Sequence, residues 1–245
     1  MTDAERSSHG GSLGYPRIHL RRTDSTNERA RELAIAGAPH GALFTADEQT
    51  SGRGRQGRSW LAPAGGALLC SLVLRDPPAL LSLVAGVAAC DAIGEGVRVK
   101  WPNDVVAERA DRQRGATLGK LAGILVEGRP QEGWAVLGVG VNVAVRVADL
   151  PGEVRAGAAS LERSPSAIEP LLAGLLAALA RRLAQPQQQV LEAWRARDGL
   201  LGRVVSWAGG EGRAEGIDDS GRLLVGLGGG AVAALDAGEV HLRLT

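Results

Sequence analysis

Aromatic residues are scarce in this chain, whose 245 residues include one Phe, one Tyr and five Trp. With a hydrophobic fraction of 44%, a core must be built mainly from Leu, Val and Ala, and each Trp merits separate attention. Cysteine is nearly absent: Cys70 and Cys90 share no close spacing and no clustered histidines stand beside them, which argues against a zinc site or a disulfide framework. Two thiols set in apolar runs fit a reducing, cytoplasmic setting. There is also no long hydrophobic run. The longest, around Leu171 to Ala180, is interrupted by Gly174 and stops at Arg181-Arg182, short of the roughly 20 residues that span a bilayer. The polar, Ser- and Gly-containing start has no apolar stretch to serve as a signal peptide. Excess charge is lacking as well: a formal net charge of +1 gives no global field for a polyanion, although a local arginine cluster can still hold a small anion.

What is present suits one large domain and a small satellite. Residues 1–16 read as a disordered tail, 17–199 as the main domain and 200–245 as a small β module. Arg17 to Arg22 alternates like a strand, Thr23-Asp24-Ser25 offers helix caps, and a helix runs from Asn27 to Ala36. Strands follow at Ala42 to Gln49 and Ala67 to Arg75, then an apolar, buried helix from Leu80 to Ile93. Val97 to Trp101 is a strand, Glu108 to Arg114 an exposed hairpin excursion, and Leu121 to Glu127 and Trp134 to Val145 two more strands. This predicts an α+β fold, a mixed sheet with helices on one side. After Ser164 and Pro165, leucines at helical spacing give an amphipathic helix, and a shorter helix carries Val190, Leu191 and Trp194. Short β runs separated by glycine turns fill the rest, including Val240 to Leu244.

Gly52-Arg53-Gly54-Arg55-Gln56-Gly57-Arg58, leading into Trp60, is the densest chemical signal. Arginine presents planar charged donors and glycine lets backbone N–H groups approach an anion, so the segment reads as an anion clamp, with a solvated or RNA-binding Arg-Gly loop as the plainer alternative. Glycine and mutual arginine repulsion leave little to order residues 52–58 without a ligand. Gly115 to Lys120 has the wrong glycine spacing for a P-loop, and Gly138-Val139-Gly140 lacks the third glycine of a dinucleotide fingerprint. Lys120 is either a strand-initial surface lysine or a cation placed between two anions. Asp104 is a turn residue or a carboxylate pinned beside Pro102. Ser25-Thr26-Asn27 is a helix start or a reader of a polar ligand head, and Asn142 follows a strand whose missing side chains leave room against the backbone.

In this order, Ser25-Thr26-Asn27, Gln49 with the Gly/Arg loop, Lys100-Trp101-Pro102-Asn103-Asp104, Lys120 to Glu127 and Gly138 to Asn142 resemble the biotin–protein ligase family. The resemblance covers about Ile18 to Thr245, with Gly202-Arg203 and Gly238-Glu239-Val240 similar to the family's C-terminal SH3-like barrel. It implies a class II synthetase-like catalytic domain, with ATP and biotin as substrates and Mg²⁺ as cofactor. The implied reaction has two steps: biotin's carboxylate attacks the α-phosphate to give biotinyl-5'-AMP, and a lysine of a biotin carboxyl carrier protein, as in acetyl-CoA carboxylase, then takes the biotin.

By the same resemblance Ser25, Thr26, Asn27, Gln49, Gly52 and Gly54 belong to the biotin site, and Gly123 lets biotin lie against its strand. Arg53 and Arg55 clamp carboxylate and phosphate, and Lys120 bridges them. Arg58, Asn103 and Asn142 serve the nucleotide, and Trp60 stacks on adenine. Asp104 orients or deprotonates the acceptor amine, or helps place Mg²⁺. Joining a carboxylate to a polyphosphate chiefly needs positioned cations, and the chain shows no evident nucleophile. A homodimer through sheet edges is a family-level expectation. The family's repressors carry an N-terminal helix-turn-helix domain, for which about sixteen residues are too few, so DNA is not an expected partner, nor is a membrane. A lipoate–protein ligase is the nearest rival, and a non-catalytic nucleic-acid-binding protein a more distant one.

Overall fold

A computed structural model describes residues 13–111, 115–237 and 243–244. The expected tail up to Ser12, the excursion's tip and Gly238 to Leu242 lie outside the described residues. Seven strands form one mixed sheet: β1 (Arg17–Thr23), β2 (Leu43–Gln49), β3 (Ala67–Arg75), β4 (Val97–Lys100), β5 (Asp104–Asp111), β6 (Gly115–Arg129) and β7 (Trp134–Asn142). Their order is β1-β2-β3-β7-β6-β5-β4. Only β1 and β2 pair in parallel, because α1 (Thr26–Ile35) connects them and a parallel pair needs a crossover. The other pairs are antiparallel.

Strand alternation divides the sheet's surface in two. Leu68, Cys70, Leu72 and Leu74 of β3 join Leu137, Val139 and Val141 of β7 in the main core, beneath α2 (Leu81–Ile93), α4 (Ile168–Leu183) and α5 (Gln187–Arg195). α2 is buried almost all round, as a helix packed between a sheet and other helices must be. Helices do not, however, keep to one side. α1 lies on the opposite face, where Ala30 and Ala34 pack on Phe44, Val73 and Val136. A ten-residue helix covers only part of that face, which leaves the rest available to a ligand. The short α3 (Gly152–Arg155) follows β7.

A second, five-stranded antiparallel sheet is ordered β11-β10-β9-β8-β12 and built from β8 (Val204–Trp207), β9 (Gly210–Ile217), β10 (Leu223–Gly226), β11 (Val232–Leu235) and β12 (Arg243–Leu244). Val205, Ala214, Ile217, Leu223 and Val225 belong to the same apolar cluster as α2 and α5, so the small sheet is fused to the large one by a shared core. Its turn at Gly221 accepts a hydrogen bond from Trp101 Nε1 at 3.0 Å. That contact lies beside the segment carrying Asn103 and Asp104.

Asp91, whose side chain is 9% exposed, ties three elements together through Arg181 and Arg182 of α4 and Arg197 after α5, at 2.7–2.9 Å. Burial pushes its carboxyl up, but hydrogen bonds from Arg182 and Arg181 outweigh burial and hold it below its ordinary value. A lowered folded value means the stabilisation is complete above the unfolded carboxyl's value of about 3.9 and is lost as pH falls through the lower folded value. Asp91→Asn should cost roughly 1–3 kcal/mol at neutral pH, because half-open partners moderate the loss of a buried pair. Denaturant unfolding of both proteins from pH 7 to 3 checks this: the gap should narrow below about pH 4, and a pH-independent gap would mean packing rather than charge.

Candidate active site

The open face is lined by a row of directly paired residues: Lys100 opposite Asp104, Asp104 opposite Gly123, Gly123 opposite Gly140, and Gly140 opposite Leu69. Residues paired across a sheet share a face, so this row forms the floor of a pocket. Two of its members are glycines because the Trp60 indole lies against them. A Cβ at Gly140 would stand 2.7 Å from the Trp60 ring, and one at Gly123 would stand 2.9 Å from the ring and 3.1 Å from the Lys120 side chain.

Strict alternation would not put Lys120 on this face, since Ala122 belongs to the core. The ladder shifts between Val105 and Val106, skipping Leu121, so that Lys120 pairs with Val106 on the face Asp104 uses. A β-bulge of this kind re-aims a side chain. Lys120 Nζ thereby reaches Asp104 Oδ1 at 2.6 Å, with side chains 38% and 20% exposed, and lies 5.6 Å from the Trp60 ring centroid.

At the pocket's other end stands the N-terminus of α1. Ser25 holds the cap position, but its side chain makes no cap hydrogen bond, contrary to the simple helix-cap reading. Gln49 Oε1 takes over that duty, accepting from Thr26 N at 2.8 Å and from the Thr26 hydroxyl at 2.9 Å. Asn27 donates to Glu127 at 2.8 Å, while its oxygen accepts from buried Ser71 at 2.6 Å. Ser71 is also 2.8 Å from Thr26 Oγ1. Gly138 makes room for this network, since a Cβ there would overlap Asn27 Oδ1. Ser71 and Glu127 received no role from the sequence. For Ser71 the signal was available: it is the polar residue inside the apolar run Ala67 to Leu74.

The Gly/Arg loop closes the pocket from above. Gly54 N donates to Arg58 O at 2.6 Å and Trp60 N to Gly52 O at 2.9 Å, around a tight turn at Arg55–Gly57 in which Gln56 and Gly57 take left-handed backbone (φ 56° and 74°). Gly52 cannot carry a side chain, because a Cβ would strike Trp60 O and approach Gln49 Nε2 to 2.9 Å. Arg53 pairs with Glu28 at 2.7 Å, and Arg55 donates to Asn103 Oδ1 at 3.3 Å and to the Ala237 carbonyl. Residues far away in sequence therefore supply the order that the loop's composition lacks. Burial pushes the Arg55 guanidinium down from its ordinary value, although an arginine stays charged at any working pH.

Most of the sequence-predicted residues meet here: Ser25, Thr26, Asn27, Gln49, Arg53, Gly54, Arg55, Arg58, Trp60, Asn103, Asp104, Lys120 and Gly123 all line one pocket. Gly52 stands just outside it, supporting the loop. Asn142 is also off the pocket wall; it donates to Ala159 O at 2.9 Å and lies 3.5 Å from Lys120 O, so it braces the strand behind Lys120.

A pocket of clustered cations, a polar reader at a helix start and a glycine floor gives the context for comparison with known proteins. Residues 19–143 match the biotin/lipoate A/B protein ligase family, and residues 208–243 match the biotin protein ligase C-terminal domain. The chain belongs to this family. Among its family relatives, the biotin–[acetyl-CoA-carboxylase] ligase of Mycobacterium tuberculosis is 38% identical, with 96% of this chain and 92% of that protein covered. The enzyme of the same name from Paracoccus denitrificans is also 38% identical, over 84% of this chain and 92% of its own. The biotin protein ligase from Aquifex aeolicus, solved with biotin and ATP, superposes with a TM-score of 0.78 at 27% identity, over 94% of this chain and all of that one.

For this member of the family, two measurements probe the site. Amide exchange of the unliganded protein should show Gly54 and Trp60 protected by their loop hydrogen bonds, and rapid exchange at both would restore the picture of an unordered loop. Gly138→Ala should displace Asn27 and destabilise the fold by roughly 1–3 kcal/mol, the scale of a broken buried polar contact. An unchanged denaturant midpoint would mean that the Asn27 network yields without cost.

Proposed function

We propose that this chain is an ATP-dependent biotin–protein ligase that activates biotin as biotinyl-5'-AMP and passes it to one lysine of a biotin carboxyl carrier protein. The observation that carries the reading is the meeting of Lys120, Arg55 and Arg58 with the Ser25–Thr26–Asn27–Gln49 reader in one pocket over Gly123 and Gly140. Biotin has a polar ureido head and a carboxylate tail, and the two ends of the pocket match those two needs. Ser25, Thr26, Asn27 and Gln49 hold the head, and the chain runs toward Lys120 past the Trp60 indole that covers Gly123 and Gly140.

In the first step a carboxylate oxygen bonds to the α-phosphorus and pyrophosphate leaves. Two anions must touch, and Lys120, Arg53 and Arg55 offset their repulsion. Arg58 and Asn103 face the nucleotide, and Trp60 offers a ring to adenine. In the second step the neutral acceptor amine attacks the acyl carbon, AMP departs, and the proton lost by the nitrogen passes to solvent. Asp104 attracts and orients the incoming amine. Mg²⁺ is expected with ATP, but no cluster of three His, Cys, Asp or Glu forms a cage among the described residues. An ion arriving with the nucleotide would rest mainly on phosphate oxygens and water.

The same proposal places the protein in the cytoplasm and includes a homodimer through sheet edges. Among the described residues no helix is long and apolar enough to cross a membrane.

Labelled biotin with ATP and Mg²⁺ should yield the adenylate, and activation of lipoate but not biotin would sink the reading. Lys120→Ala should slow adenylate formation by at least about a hundredfold, the scale of losing one key electrostatic contact. Near-normal turnover would remove Lys120 from the chemistry. Salt-sensitive oligonucleotide binding with no adenylate would favour the nucleic-acid alternative.

A further inference from the structure

Lys120 is occupied twice over. Its ammonium sits 2.6 Å from Asp104, yet the adenylation geometry asks it to stand between biotin's carboxylate and the α-phosphate. One ammonium has three donors but a single positive charge, so it cannot offset three anions drawn together around it. If Lys120 simply left, a carboxylate only 20% exposed would face an incoming phosphate uncompensated, and like charges at close range in a low-dielectric pocket repel strongly.

A second lysine stands ready on the other side of Asp104. Lys100 ends β4 and pairs directly with Asp104 across the β4–β5 hairpin, on the same face and in the same pocket. Opposed Cβ atoms in such a pair are about 4.5–5.5 Å apart, within easy reach of a lysine's ammonium. Among the described residues Lys100 has no salt bridge of its own. Burial pushes its pKa down, Asp104 pulls it back up, and Lys120 and Arg58 press it down further. The anion that favours its charge is thus the one Lys120 now holds.

We propose that Lys100 is a positioning residue that takes over Asp104 when Lys120 turns to the reacting anions. The exchange keeps Asp104 paired and fixed for the acceptor amine while freeing Lys120 for adenylation. Lys100 acts through Asp104 and Lys120 and touches neither substrate. No bond is made or broken in the exchange, only the ion-pair partner. This inference rests on the ligase reading given above.

The test is single-turnover adenylate formation at saturating biotin and ATP, in two backgrounds. Lys100→Met should leave Lys120 trapped on Asp104 and slow adenylation about tenfold or more, whereas in an Asp104→Asn background, with no carboxylate to trap Lys120, the same change should cost less than about twofold. Lys100→Arg should stay within about threefold of the parent, since the cation is kept. Equal losses in both backgrounds would mean that Lys100 contacts the ligand or merely supports the fold, and no loss in either would remove it from the site; each overturns the proposal. If the methionine variant fails to fold, Lys100→Gln in the same two backgrounds reads the same coupling. A parent protein that forms no biotinyl-adenylate would sink the ligase reading instead, so the two failures are distinct.

Discussion

The ion pair between Lys120 and Asp104 exists only because the ladder between β5 and β6 slips by one residue at Leu121. That slip reconciles two demands that a regular strand cannot meet together. Ala122 and Ile124 must face the core, while Lys120, two residues before Ala122, must face the ligand. The sheet pays for the irregularity locally, and Lys120 is secured on both flanks: its N–H donates to Gly157 O at 2.7 Å and its carbonyl accepts from Ala159 at 2.9 Å. Asn142 braces the same stretch from β7. A cation needed at one point is held by backbone, not by its own flexible arm.

From that anchor the rest of the pocket follows from alternation across the sheet. Once Lys100, Asp104, Gly123 and Gly140 share a face, anything flat that rests there must rest on glycine, and the Trp60 indole already does. Covering that face with another long helix would give a more stable protein with no site. α1 instead stops short, and its exposed N-terminus, completed by Gln49 rather than by Ser25, leaves the Ser25 side chain without a capping duty at the pocket. The loop of three arginines closes the opposite side. Its order is borrowed from Glu28 on α1, Asn103 before β5 and the Ala237 carbonyl beyond β11. The small C-terminal sheet therefore takes part in shaping the site through Arg55, as well as through Trp101 and Gly221.

Much of this was legible in the sequence where local pattern decides structure. The limits of β3, the apolar character of α2, the leucine stripe of α4 and the glycine turns of the last 45 residues are all short-range signals, and each element stands close to where its pattern put it. Most side chains singled out from the ordered motifs also meet in one pocket. What was not legible depends on contacts between distant residues. No window of sequence tells that α1 lies on the opposite face from α2, because the side of the sheet a helix covers is set by the chain's path between strands and not by the helix's own pattern. Nor does the loop's own composition reveal Glu28 as the partner of Arg53, or the bulge at Leu121.

Lys100 shows most clearly how the two kinds of information differ. In the sequence it is the first residue of a five-residue motif, with Trp101, Pro102, Asn103 and Asp104 drawing the attention. Sequence proximity alone says only that Lys100 and Asp104 flank a turn. Antiparallel pairing puts them side by side, and the pairing of Asp104 with Gly123 places both on the floor beneath the loop. The resulting order across the pocket, lysine, carboxylate, lysine, is a consequence of register. Electrostatically it is the simplest arrangement in which a carboxylate stays compensated while one of its two cations is lent to a third anion, which an isolated Lys120–Asp104 pair cannot achieve.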